Sequence, residues 1–165
     1  MAEESKAIRA KASPLVTLDD TDRRLLGLLT EDATRSYAEL GRSLHLSPPA
    51  VHERVKRLKR SGVIKAVVAS LNGAKMGRPL LAFVHIYTES WTTTRQMLAL
   101  SELTEVEEIH TIAGEGAMLL KIRTRDPQAL EDVLARIHGI EGLKGTRTYI
   151  ALSSYLERGP QPVTT

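Results

Sequence analysis

The chain has 165 residues, of which 42% are hydrophobic and 26% charged, and its formal net charge is +3. This composition is close to that of globular proteins, and the length allows one ordinary domain or two small ones. The sequence contains no Cys, which excludes a disulfide framework, a thiolate metal site and a cysteine nucleophile. No apolar run approaches the ~20 residues that cross a bilayer. Because Met1–Ser13 also lacks the apolar core of a secretory signal, we expect a cytoplasmic protein with no membrane partner.

Positive and negative charges are divided unevenly along the chain. Residues 1–78 carry 15 Lys and Arg against 9 Asp and Glu, whereas residues 79–165 carry 8 against 11. A basic surface attracts polyanions such as nucleic acids, and an acidic surface repels them. The sequence therefore predicts two halves with different tasks.

The basic half contains three helical patterns in close succession. Asp19 is placed to cap the first helix, in which leucines recur at helical spacing over residues 25–29. Ser36 and Glu39 form a capping-box pattern that opens a short second helix. A turn follows at His45, which we expect in the left-handed backbone conformation that His tolerates.

The third helix begins at Ser47, a capping residue, followed by Pro48 in the first turn. Its apolar stripe consists of Val51, Val55 and Leu58. Gly62 ends it. Two helices joined by a turn of about three residues form a helix-turn-helix arrangement.

The β-branched run Val63–Ala69 predicts a strand after the helix-turn-helix, which we expect to be of the winged type. Turn residues over 72–79 indicate a domain boundary. We therefore assign residues 1–16 to a flexible tail, residues 17–64 to the helix-turn-helix domain and residues 65–79 to a strand and hinge.

The second half alternates strands and helices. The predicted strands are Leu80–Tyr87, Val106–Ile112, Ala117–Arg123 and Thr146–Leu156. The predicted helices are Thr92–Leu103 and a helix from Asp126-Pro127 to Gly139. The order β-α-β-β-α-β is that of a ferredoxin-like domain, assigned to residues 80–158, with a second flexible tail at 159–165. The expected fold class is α+β.

The exposed face of the third helix is predicted to be cationic, as expected of the recognition helix that a helix-turn-helix places in the DNA major groove. Residues near the start of such a helix reach base edges, and we predict this for Pro49, Ala50, His52, Glu53 and Arg54. Glu53 can accept a hydrogen bond from cytosine, and either Arg54 or Arg57 can pair with guanine. Phosphate contacts are predicted for Arg35, Lys56, Lys59 and Arg60. Ser47 starts the helix, whose backbone N–H groups can also bind a phosphate.

The motifs of the first half, taken in combination, resemble those of one known family. They are Leu18-Asp-x-x-Asp22-Arg-x-Leu-Leu26, Ala33-Thr-Arg35 with Tyr37 and Leu40, Leu46-Ser47 with Val51, Arg54 and Arg57-Leu58, and Gly62-Val-Ile64. The second half adds Gly77-x-x-Leu80, Ala113-Gly114, Leu119–Arg123 and Thr146-Arg-Thr148. The chain resembles the Lrp/AsnC, or feast-or-famine, family of prokaryotic transcription regulators over residues 17–157.

The resemblance implies a sequence-specific regulator that binds double-stranded DNA, with Tyr37 added to the DNA-binding set. It also implies a dimer formed through the ferredoxin-like domains, which assembles further into a tetramer or octamer, in the cytoplasm and on the nucleoid. Family members commonly sense amino acids near the hairpin of the second domain. The effector-binding candidates are Ile112, Gly114, Glu115, Gly116, Ala117, Met118 and Thr148.

The hairpin departs from the family pattern. Where the family often has Gly-x-Tyr/Phe-Asp-Tyr, this chain has Gly114-Glu-Gly-Ala-Met118, so that Ala117 stands in place of the Asp. Glu115 can replace the missing carboxylate, and the glycines let a ligand approach the backbone. No cofactor is expected beyond a possible amino-acid effector. The alternative is an effector-independent, nucleoid-type architectural protein.

An enzyme and an RNA-binding domain are poorer interpretations. The five His residues show no metal-ligand spacing, and no P-loop or nucleophile-elbow motif is present, so we expect neither a catalytic nor a metal site. An RNA-recognition domain stacks bases on aromatic residues of its third strand. The corresponding run here, Ala117–Ile122, contains none.

Overall fold

The computed structural model describes residues 15–163, which form two compact units. One unit contains the residues up to 69 together with those from 158 onward, and the other spans Ser70–Glu157. The predicted linker, residues 65–79, spans this division. The predicted N-terminal tail falls almost wholly outside the described residues. No helix within residues 15–163 is long and apolar enough to cross a membrane.

The first unit consists of three helices. They are α1 (Asp20–Glu31), α2 (Tyr37–Leu44) and α3 (Pro48–Arg60). Its core contains the predicted apolar stripe of α3 and side chains of α1 and α2, all buried: Leu25, Leu40, Leu44, Val51, Val55 and Leu58. The predicted helix-turn-helix is therefore confirmed.

The predicted helix ends are also confirmed. Ser36 Oγ accepts a hydrogen bond from the backbone of Glu39, whose carboxylate accepts one from the Ser36 backbone. Ser47 Oγ accepts from the Ala50 backbone at 3.4 Å. His45 has a φ of 56°, in the left-handed region, and reverses the chain between α2 and α3.

The strand predicted over Val63–Ala69 is wrong. Residues 65–70 have no helix or strand, and their side chains are exposed. A strand needs the backbone of a neighbour to accept its hydrogen bonds. No strand of the described chain runs beside this segment, so its β-branched composition alone does not produce one. The expected wing is thus absent from the described residues of the first unit.

The second unit has the predicted order β-α-β-β-α-β. Its strands are β1 (Leu80–Thr88), β2 (Val106–Thr111), β3 (Met118–Thr124) and β4 (Leu143–Ile150). Its helices are α4 (Trp91–Gln96), which continues as a 3₁₀ helix over Met97–Glu102, and α5 (Pro127–His138). The sheet is antiparallel with strand order β2-β3-β1-β4. This topology confirms the ferredoxin-like prediction.

One face of this sheet supplies the core. Alternate residues of the two central strands are buried, namely Ala82, Val84 and Ile86 of β1 and Met118, Leu120 and Ile122 of β3. They pack with Met97 and Leu100 and with Leu130, Val133 and Ile137 of α5. The alternation of period two places the remaining side chains of β1 and β3 on the opposite face.

The second unit differs from prediction in three main features. The helix predicted over Thr92–Leu103 changes to 3₁₀ geometry at Met97, after a run of three threonines with low helix propensity. The last strand spans Leu143–Ile150 rather than Thr146–Leu156, and one further backbone hydrogen bond, from Ala151 N to Leu81 O at 2.9 Å, follows its end. Gly139 does end α5, but its φ of −74° is right-handed.

The two glycines inside helices of the first unit should respond in opposite ways to alanine. A Cβ at Gly41 would lie 2.5 Å from the backbone oxygen of Leu46, so Gly41→Ala should destabilise this unit by about 1–3 kcal/mol. A Cβ at Gly27 meets only Pro162 at 3.9 Å, so Gly27→Ala should stabilise α1 by about 0.5–1 kcal/mol. Thermal unfolding of both variants measures the difference. Equal shifts would contradict the close packing at Gly41.

Candidate nucleic-acid interface and ligand-binding region

The exposed face of α3 presents three unpaired cations. Lys56, Lys59 and Arg60 are exposed, and none forms an ion pair within residues 15–163. His52 and Glu53 are also exposed, with their side chains 3.6 Å apart. Of the predicted base-edge residues at the helix start, Pro49 is exposed and Ala50 is half-buried. The structure thus brings most of the predicted DNA-binding residues onto one helix.

Two predicted base-reading arginines are instead engaged within the protein. Asp22 of α1 is fully buried, and its carboxylate accepts hydrogen bonds from Arg57 Nη2 at 2.6 and 2.5 Å. Arg54 Nη1 donates to the same carboxylate at 2.8 Å. A buried carboxylate is costly unless it is paired, so both guanidinium groups compensate for its burial. The pairing of Arg54 or Arg57 with guanine stays a prediction, and in this structure both side chains already have a carboxylate partner.

Sequence reasoning missed this contact. From the sequence, Asp22 is named only as part of the family motif and is assigned no partner. The pairs lie 32 and 35 residues apart along the chain, which no local spacing rule covers. Only the packing of α3 against α1 brings these groups together. We call Asp22, Arg54 and Arg57 the α1–α3 clamp.

Asp19 extends this clamp and caps α1 at the same time. Its Oδ1 accepts a hydrogen bond from the Asp22 backbone at 2.7 Å, as the predicted cap requires. Its Oδ2 accepts one from Arg54 Nη1, also at 2.7 Å. The hydrogen bonds from Arg54 and from the Asp22 backbone hold the pKa of the Asp19 carboxyl below its ordinary value. Asp19 is therefore ionised at neutral pH.

Arg35 and Tyr37, two other predicted DNA-binding residues, have partners inside the unit. Arg35 lies 3.2 Å from Glu31 and 3.9 Å from Asp32. The ring of Tyr37 lies 5.5 Å from that of His52, in a tilted arrangement. Tyr37 therefore supports a residue of α3 from the side, and the two acidic neighbours reduce the charge that Arg35 offers to a phosphate.

An open cavity of about 440 Å³ lies beside the clamp. It is lined by Asp19, Ala50, Glu53, Arg54, Arg57 and Arg60. Three guanidinium groups thus border it together with two carboxylates. A cavity with this lining can admit a small anion such as a phosphate group, but only against the negative charge of Asp19 and Glu53.

In the second unit, the predicted effector residues at the hairpin lie together. Gly114 and Gly116 have φ values of 137° and 92°, which L side chains rarely adopt. The Ile112 backbone donates to Ala117 O at 3.1 Å, which closes the turn. Glu115 projects from the tip, with its side chain 85% exposed, and approaches Arg147 Nη1 at 3.8 Å.

Two of the predicted effector residues, Met118 and Thr148, do not lie on the exposed surface of the hairpin. Met118 is fully buried in the core of the unit, so it supports the hairpin from beneath and offers no ligand surface. Thr148 lies on β4 opposite Val84, with β1 between it and the hairpin strand β3. The alternation of β3 places Met118 on the core face, together with Leu120 and Ile122.

A residue that the sequence analysis did not select lies beside the hairpin. Tyr87 of β1 packs against Gly116, with a ring carbon 3.6 Å from the position that a Cβ would take there. Its hydroxyl oxygen is buried and has no hydrogen-bond partner in the described chain. Buried hydroxyl groups are normally hydrogen-bonded, so this one marks a position that a polar group of a ligand can fill. Only the folded sheet places Tyr87 here, because it is 29 residues from Gly116 in sequence.

Most cations on the open face of the sheet are neutralised by carboxylates. Arg123 pairs with Glu107 at 2.6 Å and with Glu157 at 2.7 Å. Lys121 lies 3.2 Å from Glu107 and 3.4 Å from both Glu108 and Glu157. This network leaves little free positive charge for a polyanion, in agreement with the acidic composition of the second half. Within the described part of the chain, no group of three acidic or His side chains is arranged to hold a metal ion.

Comparison with known proteins identifies the family of this chain. Residues 18–59 match the model of the AsnC-type helix-turn-helix domain, and residues 81–161 match that of the Lrp/AsnC ligand binding domain. The chain belongs to the Lrp/AsnC family. It is therefore a DNA-binding transcriptional regulator with a ligand-binding domain, and not an enzyme.

Individual relatives agree with this assignment. The HTH-type transcriptional regulator FL11 of Pyrococcus furiosus is 33% identical, over 88% of this chain and 97% of the relative. The structure of AsnC from Escherichia coli has a TM-score of 0.83 at 30% identity and covers 89% of this chain and 100% of that one. A transcriptional regulator from Neisseria meningitidis, solved as an L-Met complex, shares the fold with a TM-score of 0.80 at 24% identity. That likeness covers 86% of this chain and 94% of the other.

Loss of the buried charge at Asp22 should weaken the first unit. Asp22→Asn leaves Arg54 and Arg57 without their shared anion, which should lower the free energy of unfolding by about 2 kcal/mol, since both arginines remain partly accessible to water. Urea unfolding followed by circular dichroism measures this. Asp20→Asn removes the same charge from the same helix turn, where Asp20 is exposed and makes no ion pair within residues 15–163, and should cost under about 1 kcal/mol. Equal losses in the two variants would show that the clamp contributes nothing.

Proposed function

We propose that the exposed face of α3 is the surface with which this regulator recognises DNA, and that Lys56, Lys59 and Arg60 contact phosphates. The observation that carries this proposal is that these three cations lie on one exposed helix face and have no carboxylate partner within residues 15–163. His52 and Glu53, which lie in the first half of the same helix, are proposed to reach base edges. Residues at the start of a recognition helix enter the major groove most deeply.

Arg54 and Arg57 are assigned a different task in this proposal. Their hydrogen bonds to Asp22 fix how α3 is seated on α1, so they position the recognition surface without supplying its base contacts. Arg35 contributes less than predicted, because Glu31 and Asp32 share its charge. The phosphate contacts of the proposal therefore depend mainly on residues 56–60.

Phosphate and base contacts can be separated by two substitutions on α3. Lys59→Ala should weaken binding to all duplexes alike and reduce the slope of log affinity against log salt by about 1, because one phosphate contact is lost. Glu53→Gln should lower the affinity for the operator by about 1–3 kcal/mol and leave unrelated DNA nearly unaffected. Fluorescence anisotropy between 50 and 200 mM salt measures both effects.

Lys144→Ala provides the matched control, because it removes one exposed Lys from the acidic unit. It should leave affinity and salt slope unchanged. If Lys59→Ala behaves like this control, α3 is not the phosphate-binding surface.

We propose further that the regulator acts as a dimer formed through residues 80–158, which assembles into tetramers or octamers. Three large apolar side chains in the C-terminal segment of the second unit support this, since Leu152, Tyr155 and Leu156 are 96%, 97% and 67% exposed. Exposed apolar groups of this kind favour contact with another protein surface. A dimer would also place two recognition helices on half-sites about one helical turn apart. The cytoplasm of a prokaryote, with the protein on the nucleoid, is the proposed location.

The effector proposed for the second unit is a free amino acid bound at the hairpin. Opposite charges of Arg147 and Glu115, 3.8 Å apart, can contact its carboxylate and its ammonium group. The buried hydroxyl of Tyr87 beside Gly116 offers a further hydrogen bond. The Neisseria meningitidis structure with L-Met supports the same class of ligand. Such an effector would alter DNA affinity only by binding one state of the protein better than another.

The alternative function, an architectural DNA-binding protein without an effector, is favoured by one observation. Ala117 offers no carboxylate at the position where the family often has Asp. The two functions differ in sequence preference, since a specific regulator should bind its operator at least about 10³-fold more tightly than unrelated DNA. Competition with unrelated duplex distinguishes them.

The effector proposal predicts an unusual response to Tyr87→Phe. Without ligand this variant should be as stable as the wild type or more so, because the hydroxyl removed has no partner in the described chain. An amino acid at 100 times its Kd should stabilise the wild type by about 2.7 kcal/mol, and its affinity for the variant should fall about tenfold. Thermal shift with each of the twenty amino acids, followed by calorimetry, measures both effects.

Tyr37→Phe is the control, since Tyr37 is 38% exposed and lies in the other unit, and it should not change ligand affinity. Light scattering of the same samples reports whether the ligand changes the assembly. Absence of any response to all twenty amino acids would favour the architectural alternative.

A further inference from the structure

The two carboxylate oxygens of Asp19 perform separable tasks. Oδ1 caps α1 by accepting the hydrogen bond from the Asp22 backbone, whereas Oδ2 accepts the hydrogen bond from Arg54 Nη1. The side chain of Asp19 is 51% exposed, in contrast to the fully buried Asp22. Capping needs only an oxygen acceptor, and Asn or Ser provides one as well as Asp does. The negative charge of Asp19 is therefore not required for the start of the helix.

The negative charge of Asp19 lies next to Arg54, at a place that a DNA phosphate can reach. Its side chain is 27% exposed and borders the open cavity of about 440 Å³, together with Arg57 and Arg60. A DNA phosphate entering this cavity would meet guanidinium groups that suit it well. It would also lie close to Asp19, whose carboxylate lines the same cavity and is held ionised by Arg54.

We propose that Asp19 is an internal competitor for DNA phosphate, because it shares with Asp22 the charge of Arg54 and so limits the affinity of the regulator for DNA of any sequence. This rests on the proposed role of α3 in recognition. Sequence-independent binding is supplied by cation–phosphate contacts and the counterions they release. A carboxylate that shares the charge of one of the arginines of α3 weakens such a contact. Asp22 cannot play this part, because it is buried and is needed to seat α3.

The test uses a duplex of random sequence, so that no operator has to be known. Asp19→Asn keeps the cap and removes the charge, and Asp19→Ser does the same with a shorter side chain. Both should raise the affinity for this duplex and steepen the salt slope by about 0.9, the value of one additional phosphate contact. Fluorescence anisotropy across the salt range gives the slope, and circular dichroism confirms that α1 is retained.

Two controls separate this effect from a general change of charge. Asp20→Asn removes the same charge one residue away on the same helix end, where Asp20 has no ion-pair partner within residues 15–163, and should leave the slope nearly unchanged. In an Arg54→Gln background, Asp19→Asn should no longer steepen the slope, because the arginine whose charge Asp19 shares is absent.

The outcomes distinguish this inference from the function on which it rests. Equal slopes for Asp19→Asn and Asp20→Asn, or a gain that persists in the Arg54→Gln background, would overturn the competition by Asp19. Unchanged DNA binding by Lys59→Ala would instead overturn the recognition surface itself. A steeper slope for both Asp19 variants that requires Arg54 supports the inference.

Discussion

The burial of the Asp22 carboxylate is the constraint on which the DNA-binding unit depends. A fully buried carboxylate must be paired, and in this protein its partners are two arginines of α3. The requirement ties the position of the recognition helix to the first turn of α1. It also explains why a strongly basic helix does not present all its charge to solvent. Of the five cations between residues 54 and 60, Arg54 and Arg57 pair with Asp22, whereas Lys56, Lys59 and Arg60 are exposed and have no ion-pair partner within residues 15–163.

The burial of Asp22 bears on DNA binding because protein carboxylates and DNA phosphates can compete for the same arginines. Arginines near a DNA surface can be satisfied by carboxylates of the protein or by phosphates. Here the buried Asp22 gives a permanent partner, and the half-exposed Asp19 gives one that a phosphate could displace. Because non-specific affinity grows with each additional phosphate contact, acidic residues beside a recognition helix can limit how much time a regulator spends on unrelated DNA. The number of Lys and Arg residues in α3 is therefore larger than the positive charge that α3 presents to DNA.

In the ligand-binding unit, the cations of the sheet are paired with carboxylates, whereas the groups at the hairpin are not fully paired. Lys121 and Arg123 are surrounded by glutamates on the sheet, which makes this surface unattractive to a polyanion. At the hairpin, by contrast, the buried hydroxyl of Tyr87 has no hydrogen-bond partner among residues 15–163, and Arg147 and Glu115 lie 3.8 Å apart, at the long limit of an ion pair. Such incompletely satisfied groups are more common at binding sites than at structural ones. A zwitterionic ligand would complete them, although Ala117 does not supply the carboxylate usual in the family.

The sequence by itself determined the three helices of the first unit, their caps, and the β-α-β-β-α-β order of the second. Capping residues such as Ser36 and Ser47 act on the backbone a few residues away, and apolar periodicity reflects which face is buried, so both can be recognised locally. The strand expected at Val63–Ala69 failed because a strand also needs a neighbour, which composition does not provide. Asp22 and Tyr87 were missed for a related reason, since their partners lie 29 to 35 residues away in sequence. Only the tertiary structure decided which arginines of α3 pair with Asp22 and that Tyr87 lies beside Gly116, because both depend on groups that packing alone brings into contact.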